Sequence, residues 1–377
     1  MQDSGGVPSD LFDLLRREPD VEAPDLVAVD ATDRLLLDEA AAALALAGPG
    51  EVAVVDDSYG ALTLGAVALH GASDVRVAQD LLVGELALAA NAERAGLAGS
   101  YRSLPLAEVA TGARVVLVQA PKALDALREI AEAVAAVAAP DVTLLVGGRV
   151  KHMTHAMNDV LRGSFDDVSA TLARQKSRVL VARGPRPGAS SFPRRQRHED
   201  LGLTVCAHGA AFAGTKVDIG TRALLACLDR MPAAGTALDL GCGTGVLAAA
   251  LARSRPGLEV LAADQSAAAV ASARATAEAN GLGDRVRVVR DDAGASLGEG
   301  SVDLVVLNPP FHVGAAVVTT VAERLFTAAA RVLRPGGELW TVYNSALRYT
   351  PGLSRIVGPT RLAEQTPKFT VTVSTRR

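Results

Sequence analysis

The sequence predicts an α/β protein built from two tandem Rossmann-like domains, each a mostly parallel doubly wound sheet with an antiparallel C-terminal hairpin. At 377 residues the chain is longer than one ordinary core requires. Residues 236–253 read as strand, glycine loop and helix, and an earlier segment repeats this pattern. Since 49% of the residues are hydrophobic and only 3% are aromatic, we expect aliphatic cores.

The glycine loop predicts a nucleotide-type cofactor site. Strand Thr236 to Leu240 contains Asp239 and leads into Gly241, Gly243 and Gly245, after which Val246 to Arg253 reads as an amphipathic helix. Glycines let the backbone approach a ligand at a helix N-terminus. Because Val246 stands where a dinucleotide fingerprint has its third glycine, the pattern favours S-adenosylmethionine (AdoMet) over a nicotinamide cofactor.

The next strands place more polar side chains at the same edge of the predicted sheet. Strand Glu259 to Ala263 ends at Asp264, whose carboxylate can accept hydrogen bonds from ribose hydroxyls. Strand Arg285 to Val289 leads into Asp291 and Asp292, one of which could accept from the adenine amino group. Ligands bind at the carboxyl ends of parallel strands in such sheets, so these carboxylates complete the predicted AdoMet site.

The tetrapeptide Asn308-Pro309-Pro310-Phe311 follows the mostly apolar strand Val302 to Leu307 and predicts methylation of an exocyclic amine. Such a nitrogen is a poor nucleophile because its lone pair is delocalised. The Asn308 oxygen and the Pro309 carbonyl can each accept one of its N–H groups and stabilise the positive charge that develops. Phe311 offers a flat face on which a base lifted from its stack can rest. We therefore predict these four residues to be catalytic, with Asn308 also beside the cofactor.

An internal duplication explains the first half of the chain. When Gly60 is set against Gly245, the segment from Ala53 to Gly60 overlies the strand and loop of the second half. Val54, Asp56 and Ser58 then replace Asp239, Gly241 and Gly243, and Gln119-Ala-Pro-Lys122 replaces Asn-Pro-Pro-Phe. We expect a degenerate N-terminal domain without chemistry over residues 1–185 and a catalytic domain over residues 201–377.

Charge is divided unequally along the chain. Residues 1–148 carry 9 Lys and Arg against 23 Asp and Glu, whereas residues 149–377 carry 29 against 19. Residues 176–197 hold seven basic residues and no acidic one, with several Gly, Pro and Ser. We expect a basic linker over residues 186–200 that is either simply solvated or contacts RNA phosphates without reading sequence.

The catalytic half resembles the ribosomal RNA guanine-N2 methyltransferases of the large-subunit methyltransferase G and small-subunit methyltransferase C type. The resemblance is carried by the glycine loop and Asp264 together with further segments, which are Phe212, Asp218-Ile-Gly220, Asn308-Pro-Pro-Phe-His312, Tyr343-Asn344 and Pro367-Lys368-Phe369. Asp57-Ser-Tyr-Gly-Ala61, Ala120-Pro-Lys122 and Lys151-His152 look closer to the large-subunit member.

The resemblance implies class I methyltransferase domains, AdoMet as cofactor and a guanine N2 amine of ribosomal RNA as acceptor. It adds His312, Phe212 and Lys368 as candidate substrate contacts. The chain departs from the family pattern after Phe212, where Ala213-Gly214 replace the usual Ser-Arg, and at Asp292, where relatives often have Asn.

Composition limits the other classes of protein. The three cysteines show neither metal-ligand nor paired spacing, and no signal or membrane-spanning segment is evident. We therefore expect a cytoplasmic protein without a metal, which acts as a monomer on ribosomal RNA or a ribosomal subunit. Two alternatives remain open at this point. They are an amino-methyltransferase acting on a protein glutamine amide or adenine N6, and a non-catalytic RNA-binding assembly protein. The sequence does not choose the ribosomal subunit or the nucleotide.

Overall fold

The computed structural model describes residues 11–22, 26–309 and 315–377, with only the backbone for residues 315–319. The chain divides into two compact units between Phe192 and Pro193. In the described residues, no helix is long and apolar enough to cross a membrane.

Unit 1 alternates strands with helices. Its strands are β1 Val52–Val55, β2 Val75–Ala78, β3 Tyr101–Ser103, β4 Val115–Gln119, β5 Thr143–Arg149, β6 Phe165–Ala170 and β7 Ser177–Pro185. Its helices are α1 Leu11–Leu14, α2 Ala31–Leu44, α3 Ala61–His70, α4 Leu82–Arg94, α5 Leu106–Val109, α6 Leu124–Val137 and α7 His155–Arg162.

Unit 2 repeats the alternation after a hairpin. Its strands are β8 Arg194–His198, β9 Leu203–Ala207, β10 Thr236–Leu240, β11 Glu259–Asp264, β12 Val286–Arg290, β13 Val302–Leu307, β14 Leu333–Asn344, β15 Thr360–Gln365 and β16 Phe369–Thr375. Its helices are α8 Ile219–Leu225, α9 Val246–Ser254, α10 Ala267–Ala279, α11 Ala315–Val332 and α12 Thr350–Ile356. Strands β10 and β13 have the predicted bounds, β11 and α9 extend one residue further at their C-terminal ends, and β12 begins and ends one residue later than predicted.

The two large sheets have one topology. The described strands are ordered β3-β2-β1-β4-β5-β7-β6 in unit 1 and β12-β11-β10-β13-β14-β16-β15 in unit 2. The first five strands of each sheet run parallel, while β7 and β16 pair antiparallel to both of their neighbours. The predicted fold class, with its antiparallel C-terminal hairpin, is therefore confirmed in both units.

Each sheet is covered by a core on both faces, which explains why its central strands are continuous apolar runs. Successive side chains of a strand point to opposite faces. In β1, Val52 and Val54 join one cluster and Ala53 and Val55 the other. Both clusters of unit 1 are largely aliphatic, as the composition predicts.

The loops that follow β1 and β10 share an unusual backbone. Three alternate residues in each loop have positive φ, and the values are 57°, 59° and 96° at Asp56, Ser58 and Gly60 and 71°, 53° and 75° at Gly241, Gly243 and Gly245. Aspartate and serine rarely adopt this conformation, because their Cβ crowds the backbone. Unit 1 thus keeps the backbone of a cofactor loop although Asp56 and Ser58 replace two of its three glycines, which supports the duplication.

The basic segment between the domains contains regular structure at both ends. Strand β7 includes residues up to Pro185, and β8 begins at Arg194 and pairs antiparallel with β9. Irregular backbone is therefore confined to residues 186–193, and the last part of the predicted linker, residues 194–200, begins with the exposed strand β8 of unit 2.

Candidate active site

The candidate site lies at the carboxyl edge of strands β10 to β13 in unit 2. These strands are neighbours in the order β12-β11-β10-β13, and each is followed by one of the predicted site segments. Ligands of open α/β sheets bind at this edge, where loops diverge and helix N-termini point at the ligand. The sheet therefore brings together the glycine loop, Asp264, Asp291 and Asn308.

The three loop glycines meet different surroundings. A Cβ added to Gly241 or Gly243 would have no atom within 4 Å, whereas one added to Gly245 would lie 2.9 Å from the Cβ of Ala273 in α10. Gly245 therefore lets α9 begin close against α10, and the other two leave open space above the loop. A cofactor needs such space, so the loop fits AdoMet.

Asp239 lies beneath this loop and is 1% exposed. Its Oδ2 accepts a hydrogen bond from the backbone N–H of Ala248 at 3.0 Å, in the first turn of α9. Burial raises the pKa of Asp239 to about 7, against the lowering effect of that hydrogen bond, and the charge of Asp264 raises it further. Asp239 thus ties the end of β10 to the helix that follows the loop.

Asp264 holds the loop from the neighbouring strand. Its Oδ2 accepts from the Gly243 N–H at 3.0 Å and its Oδ1 from the Ser266 N–H at 2.9 Å. A carboxylate oxygen can accept more than one hydrogen bond, which is the property that the predicted contact with the ribose hydroxyls requires. Asp264 therefore both shapes the glycine loop and suits its predicted role as an acceptor for the ribose hydroxyls.

The structure distinguishes Asp291 from Asp292. The Asp291 side chain is 4% exposed, its Oδ2 accepts from the Ser296 N–H at 2.9 Å, and its Oδ1 is buried without a hydrogen-bond partner in the described part of the chain. The Asp292 carboxylate instead pairs with Arg324. A buried acceptor without a donor is costly unless a ligand supplies one. Asp291 is therefore the better candidate for the adenine amino group, a choice that the sequence left open.

Asn308 is held by two residues of the segment that begins α8. Its Nδ2 donates to Asp218 Oδ2 at 3.2 Å and to Thr221 Oγ1 at 3.1 Å. Its Oδ1 is buried and has no partner among the described residues, and Pro309 beside it is buried. The amide therefore has both donor hydrogens engaged and its acceptor oxygen unused, as amine binding requires.

The sequence analysis named Asp218 only as part of the family resemblance, and it did not identify Thr221 as a site residue. The motif Asp218-Ile-Gly220 was the available signal, and nothing in the sequence singled out Thr221. Pro310, Phe311 and His312 lie outside the described residues, and their predicted roles stay predictions. Among the described residues, no group of three His, Cys, Asp or Glu side chains could hold a metal ion.

Comparisons with known proteins cover both units. Models of the RLMG N-terminal domain and the methyltransferase small domain match residues 9–186 and 202–373. The ribosomal RNA large subunit methyltransferase G of Pseudomonas aeruginosa (strain UCBPP-PA14) is 38% identical over 363 residues, which are 95% of this chain and 96% of that protein. The protein of the same name from Stutzerimonas stutzeri (strain A1501) is 36% identical over 373 residues, with 96% of each chain covered.

The chain belongs to the ribosomal RNA large subunit methyltransferase G family. Membership confirms the resemblance and the prediction of an AdoMet-dependent ribosomal RNA methyltransferase. Among solved structures, the T. thermophilus 16S rRNA N2 G1207 methyltransferase (RsmC), in complex with AdoMet and guanosine, matches with a TM-score of 0.74 and 25% identity over 92% of each chain. That match confirms the two-domain fold.

In this methyltransferase G family member, two of the candidate substrate residues, Phe212 and Lys368, are exposed. Phe212 is 56% exposed and precedes Ala213, a non-glycine residue with φ of 62°. Lys368 is exposed between β15 and β16, and its backbone oxygen accepts from the Ser345 N–H at 3.0 Å, just after the carboxyl end of β14. Both remain candidate substrate contacts.

Unit 1 has a different arrangement at the equivalent edge. Gln119 ends β4, and its side-chain amide donates to the Asp33 carboxyl of α2. Asp33 is 3% exposed, and burial raises its pKa to about 8. Since the Asn-Pro-Pro-Phe sequence is also absent here, unit 1 of this family member lacks the acceptor pair that is predicted for unit 2.

Proposed function

We propose that this protein transfers a methyl group from AdoMet to the exocyclic N2 amine of a guanine in RNA of the large ribosomal subunit. Family membership supports the large subunit, and the N2 position is supported by the solved relative, whose structure contains guanosine. The observation that carries the proposal is the Asn308 amide, with both N–H groups bound and its oxygen left for a donor.

The Asn308 oxygen and the Pro309 carbonyl accept the two hydrogens of the guanine amine. This holds the nitrogen lone pair out of conjugation and stabilises the positive charge that grows on the nitrogen. A strong general base is unnecessary, because the amine becomes acidic as it is alkylated and its proton leaves to solvent. Pro309 suits the position since proline has no N–H to compete for acceptors.

AdoMet, when bound, supplies an electrophilic methyl group. The loop Gly241 to Gly245 would pass close to it, Asp264 would accept from its ribose, and the buried Asp291 Oδ1 would accept from its adenine amine. Asp239 keeps α9 in place under the loop. By fixing both reactants at one sheet edge, these residues convert a two-molecule encounter into a local one.

RNA contact is proposed for the hairpin β8–β9 and the loop before α8. Arg194, Arg195 and Arg197 are exposed on β8, and phosphate contacts of this kind bind RNA without reading sequence. Thr215 joins the two segments, because its Oγ1 donates to Gln196 Oε1 at 2.9 Å and its carbonyl accepts from His198 Nε2 at 2.8 Å. The same loop exposes Phe212, which suits stacking with a base.

The remaining parts of the proposal concern the setting. Because the substrate is ribosomal RNA, we place the enzyme in the cytoplasm. Two fused copies of one fold supply within one chain what a dimer would supply, so we propose that it acts as a monomer.

Transfer of labelled methyl from AdoMet tests the proposal. The acceptors are deproteinised ribosomal RNA and each isolated subunit from cells lacking this gene, followed by nucleoside analysis. We expect labelled N2-methylguanosine in large-subunit RNA. Asn308→Ala should lower the rate at least about 100-fold, as for a lost oxyanion-hole donor. It should still be stabilised thermally by AdoMet. Asn158→Ala, in α7 of unit 1, is the control and should match the wild type.

Other outcomes would identify the alternatives. Label in protein would indicate a glutamine amide, and N6-methyladenosine would indicate adenine. AdoMet binding with no transfer to RNA or protein would indicate a non-catalytic assembly protein. Near wild-type transfer by Asn308→Ala would show that the amide does not hold the amine.

A further inference from the structure

We propose that Asp218 and Thr221 are positioning residues that fix the orientation of the Asn308 amide and so keep its oxygen available to the substrate amine. The inference rests on the proposed function, since it concerns how the same site holds an amine. Neither residue needs to touch the substrate. Both act through the two hydrogens of the Asn308 Nδ2, which they bind at 3.2 and 3.1 Å.

The hydrogen-bond chemistry of Asp218 determines which way the amide faces. A carboxylate oxygen can only accept, so it must face the nitrogen of the Asn308 amide. Asp218 Oδ2 is itself held in place, because it accepts from the Gly220 N–H at 2.8 Å as the N-cap of α8. An amide turned by 180° would oppose its oxygen to this carboxylate. Asp218 therefore favours the orientation that leaves Oδ1 for the substrate.

Thr221 completes the arrangement by engaging the second hydrogen. Its Oγ1 lies one turn into α8, on the side that faces the end of β13. A hydroxyl can accept or donate, so Thr221 alone would tolerate either orientation of the amide. Because the Asp218 carboxylate already fixes the amide nitrogen on this side, the Thr221 hydroxyl accepts from the second N–H of Asn308. The amide is then held at two points.

Gly220 leaves room for this contact. A Cβ added there would lie 2.9 Å from Asp218 Oδ2 and 3.2 Å from Asn308 Oδ1. Any larger residue would thus crowd both the positioning carboxylate and the acceptor oxygen. The segment Asp218-Ile-Gly220 therefore combines a helix cap, an orienting acceptor and a position without a side chain.

The experiment separates orientation from helix capping. Asp218→Ser keeps a good N-cap but is one bond shorter and uncharged, so it should cap α8 without reaching Asn308. Asp218→Asn keeps an oxygen at the same reach. Thr221→Val removes the hydroxyl, and Thr221→Ser retains it. Asp284→Ser is the control, because Asp284 is exposed in the turn before β12 and lies outside the proposed cofactor and RNA sites.

The readouts are the single-turnover methylation rate at saturating AdoMet and RNA, the KM for RNA, AdoMet binding and the unfolding midpoint. For Asp218→Ser and Thr221→Val we expect the rate to fall about 10-fold or more, because activity follows the fraction of molecules with the productive amide orientation. The KM for RNA, AdoMet binding and the midpoint should stay near wild type. Asp218→Asn and Thr221→Ser should retain most of the rate, and Asp284→Ser all of it.

Three results would overturn the proposal. The first is a wild-type rate in Asp218→Ser and Thr221→Val. The second is a rate loss that Asp218→Asn and Thr221→Ser do not rescue, and the third is a rate loss that only follows the loss of folding stability. Failure of the proposed function would appear differently, because the wild type would then not methylate guanine. The present inference is tested by the ratios of the methylation rates of the variants to that of the wild type, on whichever amine is methylated.

Discussion

Gly241 and Gly245 lie four residues apart in one loop, yet an added methyl group should have different consequences at each. Both have positive φ, of 71° and 75°. The Cβ of an alanine at 241 would project into open space, whereas at 245 it would meet Ala273 at 2.9 Å. We expect Gly241→Ala mainly to weaken AdoMet binding and Gly245→Ala mainly to destabilise unit 2.

The magnitudes follow from these surroundings. An L-residue at positive φ costs about 1–2 kcal/mol. Gly281 has φ of 67°, and a Cβ added there would have no atom within 4 Å, so Gly281→Ala measures the cost of positive φ alone. Gly245→Ala adds an overpacking cost of about 1–3 kcal/mol, which gives a total of roughly 2–5 kcal/mol. Gly241→Ala should lose no more stability than Gly281→Ala, about 1–2 kcal/mol.

Trp340 makes the measurement specific to unit 2. It is the only tryptophan of the chain, it is 1% exposed, and it lies in β14. Urea unfolding followed by its fluorescence therefore reports the catalytic unit. AdoMet binding is measured by calorimetry on the same variants. Gly281→Ala should bind AdoMet like the wild type, and Gly241→Ala should bind at least about 10-fold more weakly, a loss of about 1.4 kcal/mol.

Two results would refute this reasoning. The first is a Gly241→Ala variant that binds AdoMet as tightly as the control, because the space above the loop would then not belong to the cofactor. The second is a Gly245→Ala variant no less stable than Gly281→Ala, because the contact with α10 would then not restrict the position.

Three further predictions concern charged groups of unit 2. Burial raises the pKa of Asp239 from 3.8 to about 7, so the free energy of unfolding should fall as pH rises from about 4 to 7. Asp239→Asn should reduce this pH dependence in unfolding followed by Trp340 fluorescence, and an unchanged dependence would contradict the prediction. Asp291→Asn should weaken AdoMet binding about 10-fold, and Asp292→Asn less than about 2-fold, by calorimetry; equal losses would remove the distinction. Arg194→Ala should weaken RNA binding and lower its salt dependence by about 0.7 in log–log slope, with an unchanged slope counting against phosphate contact.

The sequence by itself determined the fold and named most residues of the candidate site. Continuous apolar strands, the glycine loop and the repeated register specify two α/β units with mostly parallel sheets, because these signals are local in the chain. The same reasoning placed Asp239, Asp264 and Asn308 at strand ends, since strand order alone brings strand ends to one edge. The degenerate state of unit 1 could also be read from the residues that replace its glycines.

Only the tertiary structure decided how the polar groups pair. Asp218 and Asn308 are 90 residues apart, and no local pattern predicts that the carboxylate binds the amide. The choice of Asp291 over Asp292 likewise depends on Arg324, which belongs to a later helix. Hydrogen bonds depend on distance and direction in space, so the chain must be folded before the unused oxygens of Asn308 and Asp291 can be recognised.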